Sequence, residues 1–218
     1  MLTALLDLVL PRTCAGCGRP GVPLCGRCRP PGPVPALEGR VRAAGAYAGG
    51  LRTALLAYKE RGRRELALPL GMLLATALPP EPGGCVLVPV PSRPAAARAR
   101  GGDHVLRLAR VAARESGMPV RPALRLGRAV ADSARLTRAQ RRSNLAGAMA
   151  AEPAPGATAL VIDDIVTTGA TLREAVRALR AAGWPVAGAA VVAATPSPVP
   201  HRAGDGAGTE QDAGLAWG

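Results

Sequence analysis

The chain has 218 residues, 48% of them hydrophobic, and 28 Lys and Arg against 15 Asp and Glu give a formal charge of +13. That length suggests one domain of ordinary size plus a small extra module, and the apolar share is enough for a full core. The charge favours anionic partners such as phosphates, nucleic acid or an acidic protein, but Tyr47, Tyr58, Trp184 and Trp217 are the whole aromatic set apart from two histidines, which argues against a base-stacking platform. Lys59 is the single lysine, so the arginine excess reflects coding-DNA composition at least as much as function.

Residues 1–11, MLTALLDLVLP, are apolar but shorter than a membrane span. Asp7 interrupts them and no basic segment precedes them, so they do not read as an export signal. Leu2, Leu5, Leu6 and Val9 follow a helical stripe, and a short packing helix in a cytoplasmic protein is expected. Two C-x-x-C pairs follow, Cys14 with Cys17 and Cys25 with Cys28. Four thiolates at this spacing suit one tetrahedral Zn2+, held for structure because no coordination position stays open. Disulfides are disfavoured without an export signal, and a redox pair would sit at a strand–helix junction. Cys85, alone before an apolar run, reads as a core thiol.

A proline-rich connector, RPPGPVP, leads into alternating strand-like and helix-like pieces. Leu51, Leu55 and Leu56 mark one helix; Leu66, Leu70, Leu73, Leu74 and Leu78 mark a second. Residues 86–91, VLVPVP, read as a short strand and residues 103–115 as a helix that Gly117 stops. Residues 157–163 read as a buried strand, 171–182 as a helix and 186–194 as another strand. This succession predicts an α/β fold with a parallel sheet flanked by helices. The expected division is a helix and zinc knuckle over 1–35, the α/β domain over 36–195 and a disordered tail over 196–218.

The stretch VIDDIVTTGATL, residues 161–172, carries the chemistry. Val166, Thr167, Thr168, Gly169, Ala170 and Thr171 would wrap a helix amino terminus, where free amides, hydroxyls and the helix dipole attract a phosphate monoester. Asp163 and Asp164 end the preceding strand and suit vicinal sugar hydroxyls or a hydrated cation. Together the halves describe a ribose 5-phosphate. A Walker B strand looks similar but needs a phosphate loop that is absent here; a receiver domain has no use for TTGAT; an ordinary capped turn is the plain alternative. A second loop, residues 92–104, bears Arg93, Arg98, Arg100, Gly101 and Gly102, which suit a polyphosphate. At the carboxyl ends of a parallel sheet both loops would share one crevice.

The DDIVTTGAT segment resembles the phosphoribosyl pyrophosphate loop of type I phosphoribosyltransferases. With the tetracysteine knuckle, LLAYKERG, VPVPSR through RARGGDH and an Arg-x-x-Asn element, the chain resembles the ComF family over residues 2–194. The resemblance implies that Asp163 and Asp164 bind ribose hydroxyls and assist Mg2+, that residues 166–171 cradle the 5-phosphate, and that Arg100 with its neighbours faces pyrophosphate. Arg141 and Asn144 match the Arg-x-x-Asn element of a mobile cover. Gly102, Asp103 and His104 depart from the aromatic and Asn-Gln of many relatives, with Asp103 suited to a helix cap and His104 to the surface. Two functions stay open. One is a phosphoribosyltransferase with an unidentified acceptor, whose hood would include Tyr58 and Lys59. The other is a DNA-uptake component of competence that binds single-stranded DNA or a helicase partner.

Overall fold

A computed structural model describes residues 13–37, 39–80, 83–127 and 147–196. The expected amino-terminal helix, the tail, Arg141 and Asn144 lie outside them. The main sheet has five strands in the order β1 (Val34–Ala36), β2 (Val41–Ala46), β7 (Val186–Ala194), β6 (Thr158–Val166), β3 (Cys85–Pro89). β1 is antiparallel to β2, and the other three pairings are parallel. A separate antiparallel pair joins β4 (Leu124–Leu126) to β5 (Met149–Ala151).

The interior strand β6 is apolar on both faces over Ala159 to Ile162, as a strand covered on both sides must be. Leu160 and Ile162 pack into one core with α1 (Gly49–Glu60), α2 (Ala67–Thr76) and α4 (His104–Ser116). Ala159 and Val161 pack into the other with α5 (Ala170–Ala181) and the β4–β5 pair. α2 is apolar nearly all round, packing against the sheet on one side and α4 on another, while Leu68 and Met72 stay exposed. Gly71 of α2 has no room for a Cβ against Val111, which lets the two helices approach closely.

Helix ends follow the chemistry of their residues. The Asp103 carboxylate accepts the amides of Val105 and Leu106 at 2.9 and 3.1 Å and starts α4. Gly117, at φ 75°, ends it in the left-handed conformation. The basic loop after β3 carries an element that periodicity misses, the short α3 (Pro94–Ala99), begun by Pro94 where a missing amide costs nothing. The cysteine loop is not a free appendage: Cys14, Leu24 and Cys28 are buried in the same core as α1 and α4.

Candidate sugar-phosphate site and tetracysteine cluster

Asp163 and Asp164 are both buried at the carboxyl end of β6. Successive side chains of a strand point to opposite faces, so the two acids part company. Asp163 lines a small cavity with Thr167, Thr168, Gly169, Ala170 and Thr171, on the α5 side. Its Oδ1 accepts the Asp164 amide at 2.8 Å. Burial, and then the charge of Asp164, push its pKa well above the usual carboxylate range.

Asp164 turns toward α1 and α4. Its Oδ2 meets Lys59 Nζ at 2.8 Å and His104 Nε2 at 2.7 Å. Burial raises its pKa, but the His104 hydrogen bond and the Lys59 charge outweigh burial and hold it at about 2. His104 Nδ1 in turn contacts Ser92 Oγ at 2.8 Å and Arg100 Nη1 at 3.4 Å. Arg100 Nε donates to the Lys59 carbonyl, and the Tyr58 hydroxyl donates to the His104 carbonyl at 3.0 Å.

The loop therefore splits along its length. Val166 still belongs to β6, Thr167 and Thr168 form the turn, and Ala170 and Thr171 are already in the first turn of α5. Gly169 is the N-cap at φ 73°, and no side chain caps the helix. The first amides of α5 therefore face the cavity without a side-chain partner, which is the arrangement that attracts an anion. A Cβ on Gly169 would press on the tip of the Leu37 side chain, which would have to move, but it is the positive φ that makes the position unfavourable for larger residues.

Arg100 is brought to His104 and the Lys59 carbonyl, beside Asp164, while Arg93 stands exposed at the start of α3. Gly101, at φ 65°, lies under the Arg64 guanidinium, which occupies the space of a Cβ. His104, expected at the surface, is 6% exposed, because its ring closes the α4 side of the acid pair. Lys59, expected from sequence near the acceptor hood, pairs with Asp164. Its signal was visible: the one lysine in an arginine-biased chain. A larger cavity of about 590 Å3 lies at the amino end of the sheet, between Arg40, Arg42, Cys85 and Ala187. It is remote from the acids, and open parallel sheets bind ligands at their carboxyl edge.

The four cysteine sulfurs all lie within 4.8 Å of one another. A tetrahedral zinc with sulfur ligands at about 2.3 Å separates them by roughly 3.8 Å, and Cys17 and Cys25 are 3.6 Å apart, so the cluster fits such an ion. The Cys25 amide points at Cys14 Sγ at 3.3 Å. Burial and then the other three sulfurs push the Cys28 thiol up to about 12, the cost of crowding thiols without a cation. No helix among the described residues is long and apolar enough to cross a membrane.

Comparison with known proteins bears on the domain that holds the acids. Residues 123–210 match the family described as the phosphoribosyl transferase domain, a span that takes in β4 to β7 and α5. A solved structure titled as the allosteric regulatory enzyme of purine biosynthesis aligns at 23% identity and a TM-score of 0.39, over 57% of this chain. The alignment spans a quarter of that chain's length (25%). No curated protein matches. The acid-bearing strand and its loop–helix junction fall inside the matched span, and residues 123–210 resemble a phosphoribosyl transferase domain.

Proposed function

We propose that the chain binds phosphoribosyl pyrophosphate and transfers its phosphoribosyl group to an acceptor, as a ComF-type phosphoribosyltransferase. The observation that carries this reading is the β6–α5 junction, where a buried acid faces an uncapped helix terminus across one cavity. Thr167, Thr168 and the amides of Gly169, Ala170 and Thr171 hold the 5-phosphate. Asp163 exchanges a hydrogen bond with a ribose hydroxyl. Arg100, with Gly101 beside it and Arg93 at the entrance, meets the diphosphate. Arg141, outside the described residues, would by the ComF resemblance join the binding of the ligand.

The two acids do not form a chelating pair, since Asp164 Oδ2 is filled by Lys59 and His104. If bound, Mg2+ would supply charge neutralisation for the diphosphate, with Asp163 the acid not engaged by Lys59 and His104. The chain's own work is to orient the ribose and stabilise the departing diphosphate, with no covalent nucleophile required. Cys14, Cys17, Cys25 and Cys28 hold a structural Zn2+.

Calorimetry with magnesium and phosphoribosyl pyrophosphate tests the reading on wild type and Gly169→Val. Binding by wild type and a loss of about tenfold or more in the variant is expected, one decade being ~1.4 kcal/mol. Equal binding, or no heat with wild type, sinks it. Pyrophosphate release across a panel of bases and amines then identifies the acceptor.

The competence reading rests on the formal charge of +13. Tyr58 and Trp184 are each only 2% exposed, which removes two of the four aromatics from any base-stacking surface. Single-stranded DNA binding that falls steeply with salt would support this alternative.

A further inference from the structure

We propose that the outer face of α2 is the docking surface for the chain's own residues 1–12, with Leu68 and Met72 receiving the apolar stripe of Leu2, Leu5, Leu6 and Val9. The proposal is independent of the phosphoribosyl pyrophosphate reading, since none of these residues belongs to the sugar-phosphate site.

The first observation is a helix without a polar side. A helix at the surface of a domain normally turns charged or polar residues to water. α2 reads ALPLGMLLAT, with no charged residue and Thr76 as its single polar one. Leu70, Leu73 and Leu74 are buried in the core shared with the sheet and α4, which leaves Leu68 58% and Met72 39% exposed. The two lie one turn apart and form one ridge with the half-buried Ala75. A lone exposed apolar side chain is ordinary. Here two of the four large exposed ones among the described residues stack on one uncharged helix, which marks a face that packs against something.

The second observation is where the described chain enters. Arg63 Nη2 donates to the Thr13 carbonyl at 2.8 Å, and the Cys14 amide donates to the Arg19 carbonyl at 2.8 Å. Arg63 stands just before α2, across the short turn Arg64–Leu66. Residues 1–12 therefore join the fold beside the amino end of α2, where Leu68 lies. In a helix they would extend about 18 Å, enough to run the length of α2.

The third is complementarity. Leu2, Leu5, Leu6 and Val9 recur at the three- and four-residue spacing of one helix face. Leu68, Met72 and Ala75 repeat that spacing. Asp7 falls on the opposite side of the stripe, where water would receive it. A tethered segment docks at an effective concentration of about millimolar, so a narrow ridge suffices. A second copy of the chain would need about 800 Å2 on each partner, far more than two side chains offer.

Peroxide oxidation of methionine in the full chain, read by peptide mass spectrometry, tests this. Met118 and Met149 are 3% and 4% exposed and report whether the fold is intact. In wild type, Met72 is expected to oxidise at least about tenfold more slowly than in the urea-unfolded chain, at every protein concentration. Leu5→Asp/Leu6→Asp is expected to restore most of that rate at Met72 and to leave Met118 and Met149 unchanged. The proposal is overturned if wild-type Met72 oxidises as fast as in the unfolded chain, a result that needs no variant to fold. It is overturned equally if the variant keeps Met72 protected with the fold intact, because the cover is then not this segment. Protection that fades on dilution, with a dimer in light scattering, assigns the ridge to a second copy and also overturns it. Should Met118 and Met149 oxidise in the double variant, Leu6→Ser replaces it under the same outcomes.

Discussion

Asp163 and Asp164 are neighbours in one strand and have opposite electrostatic fates. The pleat sends one toward α5 and the other toward Lys59 and His104. For Asp164 the folded pKa, about 2, lies below the unfolded value. Its contribution to stability is therefore present above about pH 4 and is lost as pH falls toward 2. For Asp163 the folded pKa is raised, so its contribution is full below about pH 4 and is lost as pH rises. Asp163→Asn keeps the oxygen that accepts the Asp164 amide and removes the ionisation. It should raise stability at pH 7, with the gain vanishing near pH 4. Asp164→Asn should cost about 3 kcal/mol at pH 7, because it leaves the Lys59 ammonium without its counter-charge. Urea unfolding across pH measures both, and an unstabilised Asp163→Asn would contradict the assignment.

Between elements, the β4–β5 pair is held to α5 by one buried acid. Glu174 Oε1 accepts the Met149 amide at 2.9 Å, and its carboxylate is gripped by Arg177, which also donates to the Met149 carbonyl at 2.9 Å. Burial raises the pKa of Glu174, but the Arg177 hydrogen bond and the Met149 amide outweigh it and lower the pKa overall. The Trp184 indole adds a bond to the Glu152 carbonyl at 2.7 Å. These contacts fix β5 against α5. Glu174→Ala should cost about 2–4 kcal/mol and expose the Met149 amide. Hydrogen exchange at residues 149–151 that matches wild type would refute that role. In TLREAVRALR this acid reads as an ordinary solvent-facing residue paired with Arg177, and only the packing of β5 against α5 makes it buried.

Across the molecule, the tetracysteine cluster and the acid pair sit at the two ends of α1. Cys28 Sγ and Cβ fill the space where Gly50 would carry a side chain, at the amino end. Lys59 reaches Asp164 from the carboxyl end. Arg63 Nη2 donates to the Thr13 carbonyl at 2.8 Å and ties the chain after α1 back to the cysteine loop. A zinc ion held by the four cysteines would thus support the helix that carries Lys59. Chelation should lower the melting temperature by about 10 °C, the shift of a ~3 kcal/mol loss in a chain of this size. A protein that holds no zinc by elemental analysis, or melts unchanged after chelation, would refute it.

The local features were determined by the sequence itself. Cysteine spacing, the apolar strand ending in two acids, the glycine and threonine turn and the following helix are all short-range patterns, set by backbone geometry and periodicity over a dozen residues. The α/β class follows from their succession. What only the tertiary structure decided is which groups meet. His104 and Asp164 are 60 positions apart, Lys59 comes from another helix still, and Glu174 is buried by a strand from elsewhere in the chain. Side-chain partners across a sheet depend on strand order and on which face each residue takes, and a linear pattern holds neither. That is why the composition showed a basic chain with an acidic loop, while only the fold showed those acids separated and one of them already neutralised.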